Sequence, residues 1–268
     1  MSDEFPVYDR ELLLLGAKRN AVLDLWEVQR YGNDSYGDAD YVSVYGMRPT
    51  DWHAKGVQLL GRTAVECTRD RLGDAISKEV ASIAGPRPPG ARTQVVDLFA
   101  GSGNTLYWLS RHLPGSRAIG FESDAAVFRL TRHNIAALAL PIDILNTDYL
   151  TGLAGISVGP DELLILFIAP PWGDAFDRTS GVDLRRTTPP ITEIVDFLFY
   201  RFPQKHLLCA IQVYEVVLPV SMAELRARFD WSTLRIFQLN TPGQNHGILL
   251  GTKDWAPQVI ATYTIPGE

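Results

Sequence analysis

The segment Val95-Val96-Asp97-Leu98-Phe99-Ala100-Gly101-Ser102-Gly103-Asn104 constrains the fold more than any other part of this chain. An apolar run of strand character ends in an acid, and two glycines one residue apart then open a helical stretch. Glycine lets the backbone turn sharply and come close to a ligand. The helix that follows presents unpaired N–H groups in its first turn. In dinucleotide-binding folds such a turn cradles a pyrophosphate. Two features point elsewhere here. The third glycine of that pattern is missing, because Asn104-Thr105-Leu106 follows Gly103. A carboxylate at Asp97 repels phosphate and suits a ligand that carries an ammonium group.

Around this segment strand and helix signals alternate. Strands are expected at 94–99, 117–121, 142–145, 163–168, 206–213, 234–239 and 248–252, and helices at 104–113, 125–138, 191–202 and 222–229. Alternation of this kind predicts an α/β fold whose mostly parallel sheet is covered on both faces. The last two strands read as an antiparallel edge. The stretch 87–92, Arg-Pro-Pro-Gly-Ala-Arg, breaks any helix and divides the chain into an N-terminal, mainly helical extension at 1–90 and the α/β domain at 91–268. Helical periodicity covers 11–31 and 49–84 of the extension, with Pro49 at a helix start and Thr50 or Asp51 as its cap. Between them the Gly-, Asp- and Tyr-rich run 32–47 reads as an exposed loop leading into a short strand at 41–45.

A chain of 268 residues with 46% hydrophobic content can bury a substantial core. Its net charge of −6 argues against a nucleic-acid binder that relies on a broad basic face, although a local cluster or a nucleotide-sized substrate needs no such face. The two cysteines, Cys67 and Cys209, lie far apart, and no Cys/His spacing suits zinc. No metal site or disulfide framework is therefore expected, and a reducing, cytoplasmic setting fits. The first residues are acidic without an apolar core, so no secretory signal is expected. The longest apolar run, 163–169, is too short to span a bilayer, so no membrane partner is expected either.

The glycine turn resembles motif I of the class I S-adenosylmethionine-dependent methyltransferases. The resemblance implies a Rossmann-like seven-stranded sheet, S-adenosylmethionine as cofactor, and cofactor contacts from Asp97, Phe99, Ala100, Gly101, Gly103 and Asn104. The second strand ends in Gly120-Phe121-Glu122-Ser123-Asp124. In that family an acid at this place binds both ribose hydroxyls. Glu122, with Ser123 beside it, is the match, about 20 residues past the glycines, as a ribose ligand requires in an alternating α/β fold. After the third strand, Asn146-Thr147-Asp148-Tyr149 is similar to the family's adenine-contacting motif, with Asp148 placed to accept from the adenine amino group and Tyr149 next to it.

The fourth strand runs into Ile168-Ala169-Pro170-Pro171-Trp172-Gly173. This turn resembles the PP-aromatic motif of methyltransferases that act on planar amino groups. Two prolines fix a rigid turn, which aims backbone carbonyls at the target nitrogen while the aromatic ring stacks on the substrate; stacking on a base contributes about 1–3 kcal/mol. Ala169, Pro170, Pro171 and Trp172 are thus the expected catalytic residues. The longer string through Phe176 is most similar to the trimethylguanosine synthase family, whose members methylate the exocyclic amine of guanine. That likeness extends upstream to Arg30-Tyr31, 38–41 and 42–50, and downstream to Val182-Asp183-Leu184-Arg185. In one respect the chain departs from the family. Ala169 stands where the family has Ser and related enzymes have Asn or Asp, so an acceptor bond to the amine must come from the backbone carbonyls of Ala169 or Pro170 alone.

The resemblance implies N-methylation of a planar amino-bearing substrate, such as a guanine base of RNA or a nucleotide. The missing side chain at Ala169 and the acidic composition favour an alternative, a small-molecule acceptor methylated on N, O or C. A cofactor-binding scaffold without turnover is a third reading. Asp174 is a further candidate for substrate contact, or else it caps a loop. Trp52 is expected, with His53, to open a helix facing the cofactor mouth. The run Asn240–His246 either rims the pocket or only joins two strands, and Arg185-Arg186 reads as a solvated pair. The extension as a whole is expected to lie over the cofactor as a lid. The oligomeric state leaves no mark on the sequence.

Overall fold

The computed structural model describes residues 7–86, 88, 90–177, 179–203, 205–240 and 244–257. A π-helical turn at Glu11–Leu15 precedes four α-helices: α1 (Leu25–Tyr36), α2 (Pro49–Ala54), α3 (Gly61–Glu66) and α4 (Asp70–Ala84). The continuous helical stretch expected over 11–31 is broken. Gly16 ends the first turn, where a Cβ would lie only 2.9 Å from the Leu12 carbonyl oxygen. A new helix then starts at a capping box: the Asp24 carboxylate accepts from the Glu27 N–H (2.8 Å) and Glu27 accepts from the Asp24 N–H (3.0 Å). It runs past residue 31 to Gly37, whose left-handed backbone (φ +70°) closes it. Residues 32–36, expected in a loop, are therefore helical.

The strand expected at 41–45 does not form; Val44 and Met47 make a single bridge. Nor is this stretch exposed throughout. Val42, Val44 and Tyr45 are buried in a cluster with Leu13, Val28, Tyr31 and Trp52. The alternation that suggests a strand comes from burial inside a helical cluster instead. At α2, Pro49 holds the first helical position as expected, but Arg48 is the N-cap, and Thr50 and Asp51 lie within the helix.

The sheet region follows the expected alternation: β1 (Thr93–Asp97), α5 (Asn104–His112), β2 (Arg117–Phe121), α6 (Ala125–Leu138), β3 (Asp143–Leu145), α7 (Tyr149–Ala154), β4 (Leu163–Ile168), a small hairpin of β5 (Phe176–Asp177) and β6 (Gly181–Val182), α8 (Ile191–Arg201), β7 (His206–Tyr214), α9 (Pro219–Arg226), β8 (Trp231–Phe237) and β9 (His246–Thr252). The sequence pattern had not marked α7 or the hairpin, and it had placed α9 and β8 about three residues too late. Seven strands form one sheet in the order β3-β2-β1-β4-β7-β9-β8. The neighbours from β3 to β7 run parallel, and β9 pairs antiparallel with both β7 and β8, which is the expected edge.

Residues two apart on a strand share a face, and the two cores obey this. Val95, Leu163, Ile165 and Phe167 pack with Leu72, Ile76 and Val80 of α4 and Leu106 and Leu109 of α5. Val96, Leu164, Leu166 and Ile168 pack on the other side with Ile191, Ile194 and Leu198 of α8. All six β4 residues are buried, so β4 lacks the polar alternation of a half-exposed strand. Burial of each such side chain contributes about 1.5–3 kcal/mol. α4 lies before the Pro-Pro stretch in sequence yet belongs to the sheet's own core. Among the described residues, no helix is long and apolar enough to cross a membrane.

Candidate active site

Strand order reverses between β1 and β4, and ligands of open α/β sheets bind at the carboxyl ends of strands beside such a switch. Asp97 pairs in register with Gly120 of β2 and Phe167 of β4. Glu122 and Ala169 each follow two residues beyond those partners, at the same end of the sheet. The fold thus gathers the acid of the glycine turn, the acid after the second strand and the Pro-Pro turn along three adjacent strands.

Asp97 is 1% exposed. Among the described residues its carboxylate accepts one hydrogen bond, from the Phe99 N–H (3.1 Å). Burial pushes its pKa up to about 7; the Phe99 N–H pulls it down and the neighbouring Glu122 charge adds to the rise. Glu122 is better supported, accepting from the Gly101 N–H (3.0 Å) and the Asp124 N–H (2.7 Å), yet burial still raises its pKa. A carboxylate pair offers about four lone-pair sites per group, so both retain capacity for a ligand. Between them, Gly101 and Gly103 adopt left-handed backbone (φ +50° and +72°). A Cβ on Gly101 would meet nothing within 4 Å, so the turn faces open space. Beside this space Phe99 and Tyr149 bring their rings to 5.6 Å. Ala100 is buried, its N–H donating to the Phe121 carbonyl (2.8 Å), and Ser123 is exposed.

Two expected cofactor residues have structural roles in addition to position. Asp148 is the N-cap of α7, accepting from the Thr151 N–H (3.0 Å) and hydroxyl (2.8 Å). Asn104 is 1% exposed and its amide is bonded at both ends: its oxygen accepts from the Tyr45 N–H (2.6 Å), and its nitrogen donates to the Thr68 carbonyl (2.7 Å) and to Asp70 (3.1 Å). The Tyr45 hydroxyl donates to the Ser102 carbonyl. The side chain of Asn104 therefore clamps the extension onto the glycine turn.

At the end of β4, Ala169 is half-buried, Pro170 buried and Pro171 exposed. No hydrogen bond among the described residues ends on the carbonyl of Ala169 or Pro170. Trp172 is half-buried against His246 (ring centroids 5.3 Å apart, planes at 18°) and Phe176 (6.1 Å, 24°), with Tyr214 at 6.0 Å and 67°. Its ring is a wall shared with other aromatics, not a bare platform. His246 contacts the Gln212 amide through Nδ1 (3.4 Å), and Gln212 accepts from the Thr68 hydroxyl (2.9 Å). Burial, with the Arg69 charge, pushes the His246 pKa down to about 4 while Glu215 opposes, so the imidazole is neutral at neutral pH.

Trp52, expected at the cofactor mouth, is not there. It is fully buried in the extension's core and its indole N–H donates to the Val42 carbonyl (2.9 Å). It is the largest buried side chain of that cluster. Asp174 is exposed in a short 3-10 turn after Trp172. Arg185 is not simply solvated; it pairs with Asp183 (2.9 Å) and Glu224 (3.3 Å). Of the run Asn240–His246, residues 241–243 lie outside the described residues; Asn245 is buried and binds Glu215, and His246 forms part of the Trp172 wall. Tyr214 and Gln212 had given no signal in the sequence, and His246 none beyond the mention of that run. No cluster of three or more His, Cys, Asp or Glu among the described residues could hold a metal.

No protein-family model matches this sequence, and no curated protein does. Solved structures are similar in fold. The delta-N METTL16 MTase domain overlays with a TM-score of 0.50 at 15% identity, over 70% of this chain and 84% of that one. The precorrin-6Y C5,15-methyltransferase of Geobacter metallireducens gives 0.48 at 10% identity, over 70% and 90%. The N-terminal domain of human METTL16 in complex with SAH gives 0.45 at 16% identity, over 67% of each chain. The architecture is thus the Rossmann-like methyltransferase fold, a seven-stranded sheet with a helical N-terminal part.

Proposed function

We propose that this chain is an S-adenosylmethionine-dependent methyltransferase that methylates nitrogen on a planar acceptor such as a guanine base of RNA or a nucleotide. The observation that carries the cofactor half is Asp97: a buried carboxylate with one hydrogen bond, facing a turn that leaves open space at Gly101. A buried charge without partners is costly, and a cationic ligand removes the cost. The ammonium of the methionine moiety supplies such a cation, and Glu122 has lone pairs left for two ribose hydroxyls. Phe99 and Tyr149 would flank the adenine, with Asp148, Ser123, Ala100 and Gly103 around it. When bound, S-adenosylmethionine supplies a methyl group activated by its sulfonium.

The chain's own part is to place the acceptor in line. The free carbonyls of Ala169 and Pro170 accept hydrogens from an amine and orient its lone pair. Trp172, backed by His246, walls the ring, and Asp174 lies at its rim. Holding two reactants in a near-attack geometry supplies about 7–11 kcal/mol of a barrier. No general base is needed while the nucleophile is a free lone pair. A small-molecule acceptor is the second reading, favoured by the methyl side chain of Ala169 where an acceptor group would otherwise strengthen hold on an exocyclic amine. Under either reading the extension and the α/β domain work as one unit around the cofactor. The test is transfer of labelled methyl from S-adenosylmethionine to total RNA, to nucleotides or to a small-molecule extract, together with calorimetry of S-adenosylhomocysteine binding. Absence of binding refutes the cofactor assignment; binding without transfer to any acceptor supports the scaffold reading instead.

A further inference from the structure

We propose that Arg69 is the anion-binding group of the acceptor site, and that the acceptor carries a phosphate ester beside its planar ring. This rests on the methyltransferase reading above and names its substrate class. Arg69 is the N-cap residue of α4. Its neighbour Thr68 touches both sides: the Thr68 carbonyl accepts from Asn104, and the Thr68 hydroxyl donates to Gln212, whose amide meets His246. His246 in turn lies flat on Trp172. Through Thr68 the start of α4, where Arg69 stands, therefore borders the acceptor side of the site. Its charge is one cause of the depressed pKa of His246, which shows that its field reaches the ring stacked on Trp172.

The group is held in an oriented way. Its guanidinium carbon stands 3.8 Å from the centroid of Tyr41, and Tyr41 stacks on Tyr36 (3.4 Å, 15°). Stacking uses the face of a guanidinium and leaves the donors at its edge. Among the described residues Arg69 takes part in no ion pair, although the chain carries a net charge of −6. Asp70, next to it in sequence, accepts from Trp108 (2.7 Å) and Asn104 (3.1 Å). A half-buried cation that is stacked, oriented and without a carboxylate fits a ligand oxyanion, and the planar fork of arginine matches a phosphate with two parallel hydrogen bonds. One such cation also reconciles an acidic chain with a nucleotide-type acceptor, because recognition is then local and needs no basic face. A free nucleotide and a nucleic-acid strand both bring this phosphate.

The test uses the full chain saturated with S-adenosylhomocysteine. Calorimetry compares adenosine, guanosine, cytidine and uridine with their 5′-monophosphates, and with a single-stranded RNA of roughly a dozen nucleotides. At least one monophosphate is expected to bind about 10-fold more tightly than its nucleoside, the worth of one charge-assisted contact. Arg69→Gln brings that ratio towards one, Arg69→Lys keeps part of it, and both leave S-adenosylhomocysteine affinity unchanged. If the source is a strand, the RNA binds more tightly than any monophosphate, and Arg69→Gln lowers the salt slope by about one; if it is a free nucleotide, the RNA has no advantage. Equal binding of every nucleoside and its monophosphate by the unaltered protein, binding of neither, or an unchanged ratio in Arg69→Gln overturns the proposal. Failure to bind S-adenosylhomocysteine at all overturns the methyltransferase reading instead.

Discussion

Replacing Asp97 with Asn should stabilise the protein at alkaline pH while removing its cofactor site. The side chains are isosteric, and Asn keeps the oxygen that accepts from the Phe99 N–H. What disappears is the cost of ionising a buried acid. Burial pushes the carboxyl up to about 7 in the fold, against about 4 for an unperturbed aspartate. A group whose folded pKa is raised binds more protons folded than unfolded, so the stability it allows is present at low pH and is lost as pH rises from about 4 to about 7. Three pKa units correspond to about 4 kcal/mol above pH 7, and the same linkage leaves roughly 2 kcal/mol at pH 5. Asp97→Asn should therefore gain most over the unaltered protein at pH 8, less at pH 5 and little at pH 4. Urea unfolding at these three values measures the difference, and calorimetry with S-adenosylhomocysteine measures the function. A stability difference independent of pH would refute the burial argument. Unchanged affinity for S-adenosylhomocysteine would show that the strained acid is not there for a cation.

Three further substitutions test the rest of the site. Glu122→Gln should weaken S-adenosylhomocysteine by about 1–3 kcal/mol, because it exchanges an acceptor for a donor facing the ribose hydroxyls; an unchanged calorimetric constant contradicts the ribose assignment. Trp172→Ala should abolish methyl transfer while cofactor affinity stays within a few-fold, and Trp172→Phe should retain part of the rate. Loss of cofactor binding together with a collapsed melting point would mean that Trp172 serves only its cluster with His246, Phe176 and Tyr214. Asn104→Ala should cost about 1–3 kcal/mol by stranding the buried Tyr45 N–H, and it should speed proteolytic cleavage around residues 38–48; unaltered cleavage would mean the clamp does not hold the extension.

The sheet was legible because its strands announce themselves one at a time. Leu163–Ile168 is apolar at every position because both faces are covered, and Asp124 caps its helix with its own carboxylate, accepting from the N–H groups of Ala126 and Val127. Such signals are local, and the ends of β2, β4 and α6 fall where the pattern puts them. The glycine turn and its two acids were legible for the same reason, since a strand end, a left-handed glycine and an acid at a strand end are each written in a few consecutive residues. The extension was not. Val42 and Val44 alternate with Ser43 like a strand, but with Tyr45 they pack into a cluster between helices, and no short-range period encodes that. The burial of Trp52 was not legible because its partner, the Val42 carbonyl, is ten residues away and brought close only by the fold. His246 reaches Trp172 through the antiparallel register of β9 on β7, where it pairs with Tyr214. A register fixed by tertiary packing leaves no trace beside either residue.

The same non-local contacts bear on how the site is built. The glycine turn and the Pro-Pro turn stand on neighbouring strands, yet strand spacing alone fixes them only at their roots. The extension joins their tips. Asn104 holds Thr68, Thr68 holds Gln212, Gln212 meets His246, and His246 lies on Trp172. Each of these groups is at least partly withdrawn from water, where hydrogen bonds are stronger and unmade ones costlier. A shift of the glycine turn is thereby resisted at the Trp172 cluster, and the reverse. Since about 1 Å of misplacement can cost on the order of 100-fold in rate, such a chain has a use in a site that works by positioning. A lid that merely covers a ligand needs none of these bonds. Under the proposed function, their presence argues that the extension sets the distance between the glycine turn and the Pro-Pro turn.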